Sequence, residues 1–151
     1  SFPTRRSSDL LPTAPAYLAL GNIERRAGNR ARAVEYYQKA SGERGQVGQR
    51  AQASLMRLDL GQNPEAYLRS RSALGDRGRL LVQVDNPTRI GVRDVVIAIR
   101  YLTGSGTVAE TRRRVSGVLE AGRSVRLDTG LGPFTSPDQY QVRIIDAGIA
   151  E

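Results

Sequence analysis

Three consecutive arginines, Arg112-Arg113-Arg114, a glycine-rich stretch from Gly104 to Ala109 and a scatter of single carboxylates are where this chain could do chemistry. It has no cysteine and no histidine. Thiolate nucleophiles, disulfides, imidazole general bases and zinc held by sulfur or imidazole are therefore not available to it. General acid–base work needs two carboxylates in one pocket, whereas Asp76, Asp85 and Asp128 fall singly and read as turn or edge residues. The single lysine, Lys39, lies on an outward helical position four residues after Glu35, a surface pair worth about 0.3 kcal/mol, so it is no partner for a serine nucleophile. Gly104-Ser105-Gly106-Thr107-Val108-Ala109 has the form GxGxxA, but a dinucleotide fingerprint must open a helix, and here a strand pattern follows. The arginine triplet alternates faces on a strand, so its members cannot converge on one ligand, and charge of this kind guards a sheet edge. Proline in the middle of Asn86-Pro87-Thr88 removes it as a glycosylation acceptor. No catalytic residue, cofactor site or metal site is expected.

The elements that position these residues change character midway. Residues 11–62 are rich in Ala, Arg, Gln and Leu at helical spacing, and 79–147 are rich in Val, Ile and Thr with glycine-containing breaks. The fold class expected is α+β in two segments, a helical segment at 11–62 and a β segment at 63–151. No apolar run approaches the roughly 20 residues needed to span a bilayer. The formal net charge is +8. Ten cations face five acids from Leu11 to Gly75, and eleven face nine from Asp76 to Glu151, so the excess sits mostly on the helical half. The cations are scattered and aromatic residues do not interleave with them, which argues against nucleic acid.

Within the helical segment, a first helix begins near Thr13 to Ala16, with Thr13 as a cap and Pro15 in the first turn, and ends at Gly28-Asn29. A second carries Ala33, Tyr37 and Ala40 at helical spacing. A third runs from about Val47 to Leu60, with Val47, Ala51, Leu55 and Leu58 as its stripe and Gly61 as its stop. Tyr17, Leu20-Gly21, Gly28, Ala33, Tyr37 and Ala40 stand at the offsets of one tetratricopeptide repeat, and residues 14–45 resemble that family. Glu24 departs from it where an aromatic is usual, and Gly45 stands where a proline closes the repeat. The resemblance implies a helical hairpin with the third helix as its cap and a groove lined by Leu18, Asn22, Arg25 and Arg26, which would take a protein or peptide partner. Arginines there could hold a carboxylate by paired hydrogen bonds. Leu18 replaces the basic residue by which the chaperone-tail clamp of the family works, and this sets that ligand aside.

In the β segment a strand is expected from Tyr67 to Leu74, with a helix from Asn63-Pro64 to Ala73 as the rival. After a turn at Gly75 to Gly78 the chain returns through Arg79 to Asp85 with Leu80, Val82 and Val84 on one face. Val92 to Leu102 follows, with Val95, Ile97, Ile99 and Tyr101 on one face. Further strands are expected at Thr107 to Val118, Ser124 to Thr129 and Tyr140 to Ala147. Short strands at this spacing predict a small antiparallel β-sandwich. Asn86, Tyr101 and Ala121-Gly122 place Arg79 to Leu127 close to the FxLYD-type immunoglobulin-like domains of bacterial envelope proteins, with Thr103 in place of that motif's turn acid.

Ser1 to Leu10, SFPTRRSSDL, resembles the translation of a common sequencing adapter and is set aside as an artefact, with further repeats expected before residue 11. The function expected is a non-enzymatic interaction scaffold of the periplasm or cell envelope, with the cytoplasm as the alternative location. Two other readings stay open: an accessory region of an enzyme, such as a membrane-associated metallopeptidase with its catalytic domain upstream, and a binder of anionic ligands or nucleic acid through the arginines.

Overall fold

The computed structural model describes residues 13–151, and the adapter-like segment lies outside them. Three helices are followed by antiparallel β-sheets, in two compact units divided between Leu58 and Asp59.

The helices of the first unit are α1 (Ala14–Arg26), α2 (Arg30–Ser41) and α3 (Gln46–Asp59). Thr13 begins α1 through its backbone, whose carbonyl accepts from Tyr17 N at 2.9 Å, while its side chain makes no capping bond. Gly28, at φ +83°, ends α1 in a two-bond closure from Gly28 N to Arg25 O and Asn29 N to Glu24 O. Glu24 reinforces that closure by accepting from Asn29 Nδ2 at 2.7 Å. An aromatic ring at position 24 could not accept this bond. The α1–α2 interlock is a glycine facing a ring. A Cβ built on Gly21 would lie 2.6 Å from the Tyr37 ring, and Tyr37 is fully buried beside Ala33 and Ala40. Tyr17 stacks on Tyr36 at 6.1 Å, and Lys39 lies 5.4 Å from the Tyr17 ring. The first residue of α2 joins the end of α3, since Arg30 Nη2 donates to Leu58 O at 2.8 Å. On α3 the buried positions are Gly48, Ala51, Leu55 and Met56, so the stripe is rotated from the expected one and Val47 and Leu58 are only half-buried.

The second unit holds two antiparallel sheets. In one, β2 (Leu80–Asp85) lies between β1 (Arg69–Leu74) and β6 (Ser124–Asp128). In the other, β3 (Val92–Leu102) pairs with β7 (Tyr140–Ile149), β4 (Val108–Arg114) and the short β5 (Val118–Leu119). β4 pairs with 96–102 of β3 and β5 with 92–93, so the strand expected from Thr107 to Val118 is one edge interrupted after the buried Val115. The segment at Asn63 divides between the two readings made of it. Pro64–Ala66 is a single 3-10 turn, and the chain is extended from Arg69 because β2 takes up its backbone hydrogen bonds from Arg69↔Asp85 to Leu74↔Leu80.

Leu80, Val82 and Val84 of β2 and Val95, Ile97 and Ile99 of β3 are buried on the inner faces. Val92 is buried as well, three residues before Val95, which strict alternation would forbid. A bulge at Asp94, φ +54°, adds a residue to β3, and a second irregularity on β7 restores the register by Ile97↔Ile144. Phe134, buried in the loop before β7, closes the core with its ring 5.4 Å from Tyr140 and 6.1 Å from Tyr101.

Asn86 ties the β2–β3 loop to the β5–β6 turn. It is 1% exposed, and its Nδ2 donates to Ile90 O, Leu119 O and Glu120 O at 2.8, 3.1 and 3.3 Å. Its Oδ1 accepts from Thr88 N and Thr88 Oγ1 at 3.1 and 2.6 Å. Its backbone donates to Arg123 O and accepts from Gly122 N. Asn86→Ala leaves these buried groups without partners and is expected to lower stability by about 3 kcal/mol in urea unfolding. Gly21→Val drives a side chain into the Tyr37 ring and is expected to lower the melting temperature of the helical unit, whereas Gly42→Val, with no side chain near its Cβ, leaves it nearly unchanged.

Candidate functional site

Leu18, Asn22 and Arg25 are spaced by four and three residues and share one face of α1, with Arg26 one position further round. Leu18 and Asn22 are half-buried, and Arg25 and Arg26 are exposed. Asn22 is engaged within the hairpin, since its Oδ1 accepts from the Tyr37 hydroxyl at 2.6 Å. That bond fixes the amide and turns its nitrogen into the group left for a ligand. Arg25 and Arg26 lie in the last turn of α1, where cations complement the carbonyl end of the helix. The arrangement offers one oriented amide and two guanidinium groups along a helix face, which suits recognition of carbonyls and carboxylates.

A second polar constellation covers the outer face of the β1–β2–β6 sheet, and the sequence pattern did not single it out. Arg71, Gln83 and Arg126 are aligned across the three strands. Arg126 Nε donates to Gln83 Oε1 at 3.2 Å, and Gln83 Nε2 donates to Asp85 Oδ1 at 2.8 Å. Asp85 also accepts from Ser124 Oγ at 2.5 Å and from Arg71 Nε at 3.1 Å. Gln83 and Ser124, together with the Arg71 guanidinium, hold the Asp85 carboxyl down at about 2. Asp85 therefore sits at the end of a central strand as the acceptor of a network, and it is not an edge residue. Alternation was visible in the sequence there, but which outward residues meet depends on the β1–β2–β6 register.

The other sequence candidates disperse. Arg112 and Arg114 point to solvent, while Arg113 turns inward and donates from Nη2 to Thr129 O at 3.2 Å and from Nη1 to Thr111 Oγ1 at 2.7 Å. Residues 104–109 form the β3–β4 turn and enter a strand, so no helix N-terminus faces them. Thr103 supports that turn, with its hydroxyl 2.9 Å from Ser105 Oγ and 2.7 Å from Thr107 Oγ1. Glu35 and Lys39 form the surface pair, at 3.6 Å. Among the described residues no group of three or more metal-ligating side chains converges, and no helix is long and apolar enough to cross a membrane.

No protein-family description, curated protein or solved structure matches the chain.

Because the carboxyl of Asp85 is held below its ordinary value, its contribution to stability is complete above about pH 4 and is lost as pH falls through about 2. Asp85→Asn is expected to flatten the unfolding free energy across that window, measured by urea titration at successive pH values, with little change in its slope near neutrality.

Proposed function

We propose that this chain is a non-enzymatic protein-interaction module of a bacterial cell envelope. In this reading α1 and α2 are one tetratricopeptide-like repeat, α3 is its capping helix, and the β unit is an immunoglobulin-like sandwich acting as spacer or second docking surface. A protein or peptide partner lies along α1, with its backbone on Asn22 and a carboxylate on Arg25 or Arg26. The observation that carries the reading is the Tyr37–Asn22 bond. It makes the residue that interlocks the hairpin also the one that orients a polar group on the α1 face, so that face is prepared before a partner arrives. The fit of Gly21 to Tyr37 and the small residues Ala33 and Ala40 support the repeat assignment, since close-crossing helices need small residues at the crossing. The envelope location rests on the resemblance of the β segment.

The test is selection of a displayed peptide library on the chain, followed by affinity measurement on the peptides recovered. Enrichment of a peptide carrying Asp, Glu or a free carboxyl terminus is expected. Arg25→Gln with Arg26→Gln should weaken it about tenfold or more, the effect of losing one charge-assisted hydrogen bond. Arg44→Gln, elsewhere on the helical unit, should leave it unchanged. Failure to enrich any sequence, or equal binding by the double variant, would refute the reading.

A further inference from the structure

The outer face of the β1–β2–β6 sheet carries a cleft of about 400 Å³ lined by Arg71, Ala73, Leu81, Gln83 and Arg126. Its walls are the two arginines. They are aligned through Gln83 on strands flanking β2, so their backbones lie two strand spacings apart, about 10 Å. Its floor is apolar, made by Leu81 and Ala73, which face each other across β1 and β2. Leu81 packs close to the Gly75 backbone, where an added Cβ would meet Leu81 Cδ1 at 2.8 Å.

The arginines are positioned before any ligand arrives. Both rest on the Gln83–Asp85 pair: Arg126 donates from Nε to Gln83 Oε1, and Arg71 donates from Nε and Nη2 to the two Asp85 oxygens at 3.1 and 3.4 Å, which leaves its Nη1 side outward. Each guanidinium is therefore anchored at one edge, with its remaining donors directed elsewhere. Arg69 adds a third cation on the same face against Asp85, so the charge balance there is positive.

We propose that this cleft docks an acidic peptide segment of a partner protein, with an apolar side chain seated on Leu81 and Ala73 and flanking carboxylates taken by Arg71 and Arg126. Charge complementarity sets the flanks and the apolar floor sets the centre. A nucleic acid fits the face less well. Stacking needs an aromatic platform, which the cleft lining does not supply. The cleft belongs to the β unit and the α1 face to the helical unit, so the two surfaces rest on different residues and either can fail without the other.

The experiment is a nitrogen–proton NMR titration of the full chain with the acetylated and amidated peptide Glu-Glu-Leu-Glu-Glu. Saturable shifts are expected at Leu81, Gln83 and the Arg71 and Arg126 side-chain Nε groups. Arg71→Gln with Arg126→Gln should weaken binding about tenfold or more. Arg126→Gln alone keeps the Arg71–Asp85 pair and the fold, and should weaken binding at least about threefold. Exchanging the central leucine of the peptide for glycine should weaken it as well, while Arg100→Gln with Arg112→Gln, on the other sheet, should leave it unchanged. Shifts spread evenly over all arginines would overturn the proposal. So would binding indifferent to Arg126→Gln, or oligothymidylate binding at the same residues more tightly than the peptide.

Discussion

The β unit depends on one buried amide. At the end of β2 the chain must turn into β3 and change sheets, and the backbone groups it exposes there have no strand partner. Asn86 supplies the partner. Its side chain reaches carbonyls on its own loop and on the turn between β5 and β6, while its backbone takes the opposite pair of groups from Gly122 and Arg123. A buried polar group is costly unless satisfied, and here every donor and acceptor of the amide is used. No buried side-chain polar atom is left without a partner among the described residues. The same bonds that make burial tolerable bring the β2 end of one sheet against the β5 end of the other. Apolar burial then acts on strands whose ends are already registered.

The helical unit solves a related problem by shape. Neither α1 nor α2 has the continuous apolar stripe of a helix buried by hydrophobic area alone, and the one large side chain fully buried between them is Tyr37. The gain comes from one ring seated where a side chain is missing, with its hydroxyl satisfied by Asn22. A tyrosine buries well when its oxygen finds a partner. The steric and polar requirements meet in the pair Gly21 and Asn22, adjacent in sequence, one taking the ring edge and the other the hydroxyl of the same Tyr37 side chain.

Much of this was legible in the sequence because it is periodic. The helices begin and end near the glycines and prolines that punctuate them, and the faces of β2 and β3 follow alternation over Leu80 to Val84 and Val95 to Ile99. What escaped is aperiodic. Val92 and Val95 cannot share a face in a regular strand, and only the bulge at Asp94 brings both inward, matched by the compensating shift on β7. Thr107 to Val118 reads as one strand because its residue types are uniform, yet pairing with β3 stops after Val115, whose N–H still donates to Val95 O at 2.8 Å, and resumes only at Val118. Phe134 lies in a loop with no pattern at all, and its place in the core is set by tertiary contact: Phe134 N donates to Gly78 O at 2.9 Å. The α1 candidates were readable because helical spacing alone groups them. The Arg71–Gln83–Arg126 row was not, since it is a product of strand register between distant segments.

The arginines show why residue counts say little about binding here. Of the triplet at 112 to 114, the middle member spends its donors on Thr111, Thr129 and the backbone beside it, joining the edge of one sheet to the end of β6 in the other. Arg30 is used to hold α2 to α3, and Arg143 to hold the Pro64–Ala66 turn through Glu65 at 3.1 Å. A lysine could supply the charge at these places but not the planar fork, which donates to two acceptors in fixed directions. The near absence of lysine thus reflects a chain that uses its cations largely as multidentate donors between elements. Net positive charge is then partly a by-product of construction. What distinguishes a binding surface is a guanidinium anchored by one edge and open at the other, beside something apolar that a partner can cover.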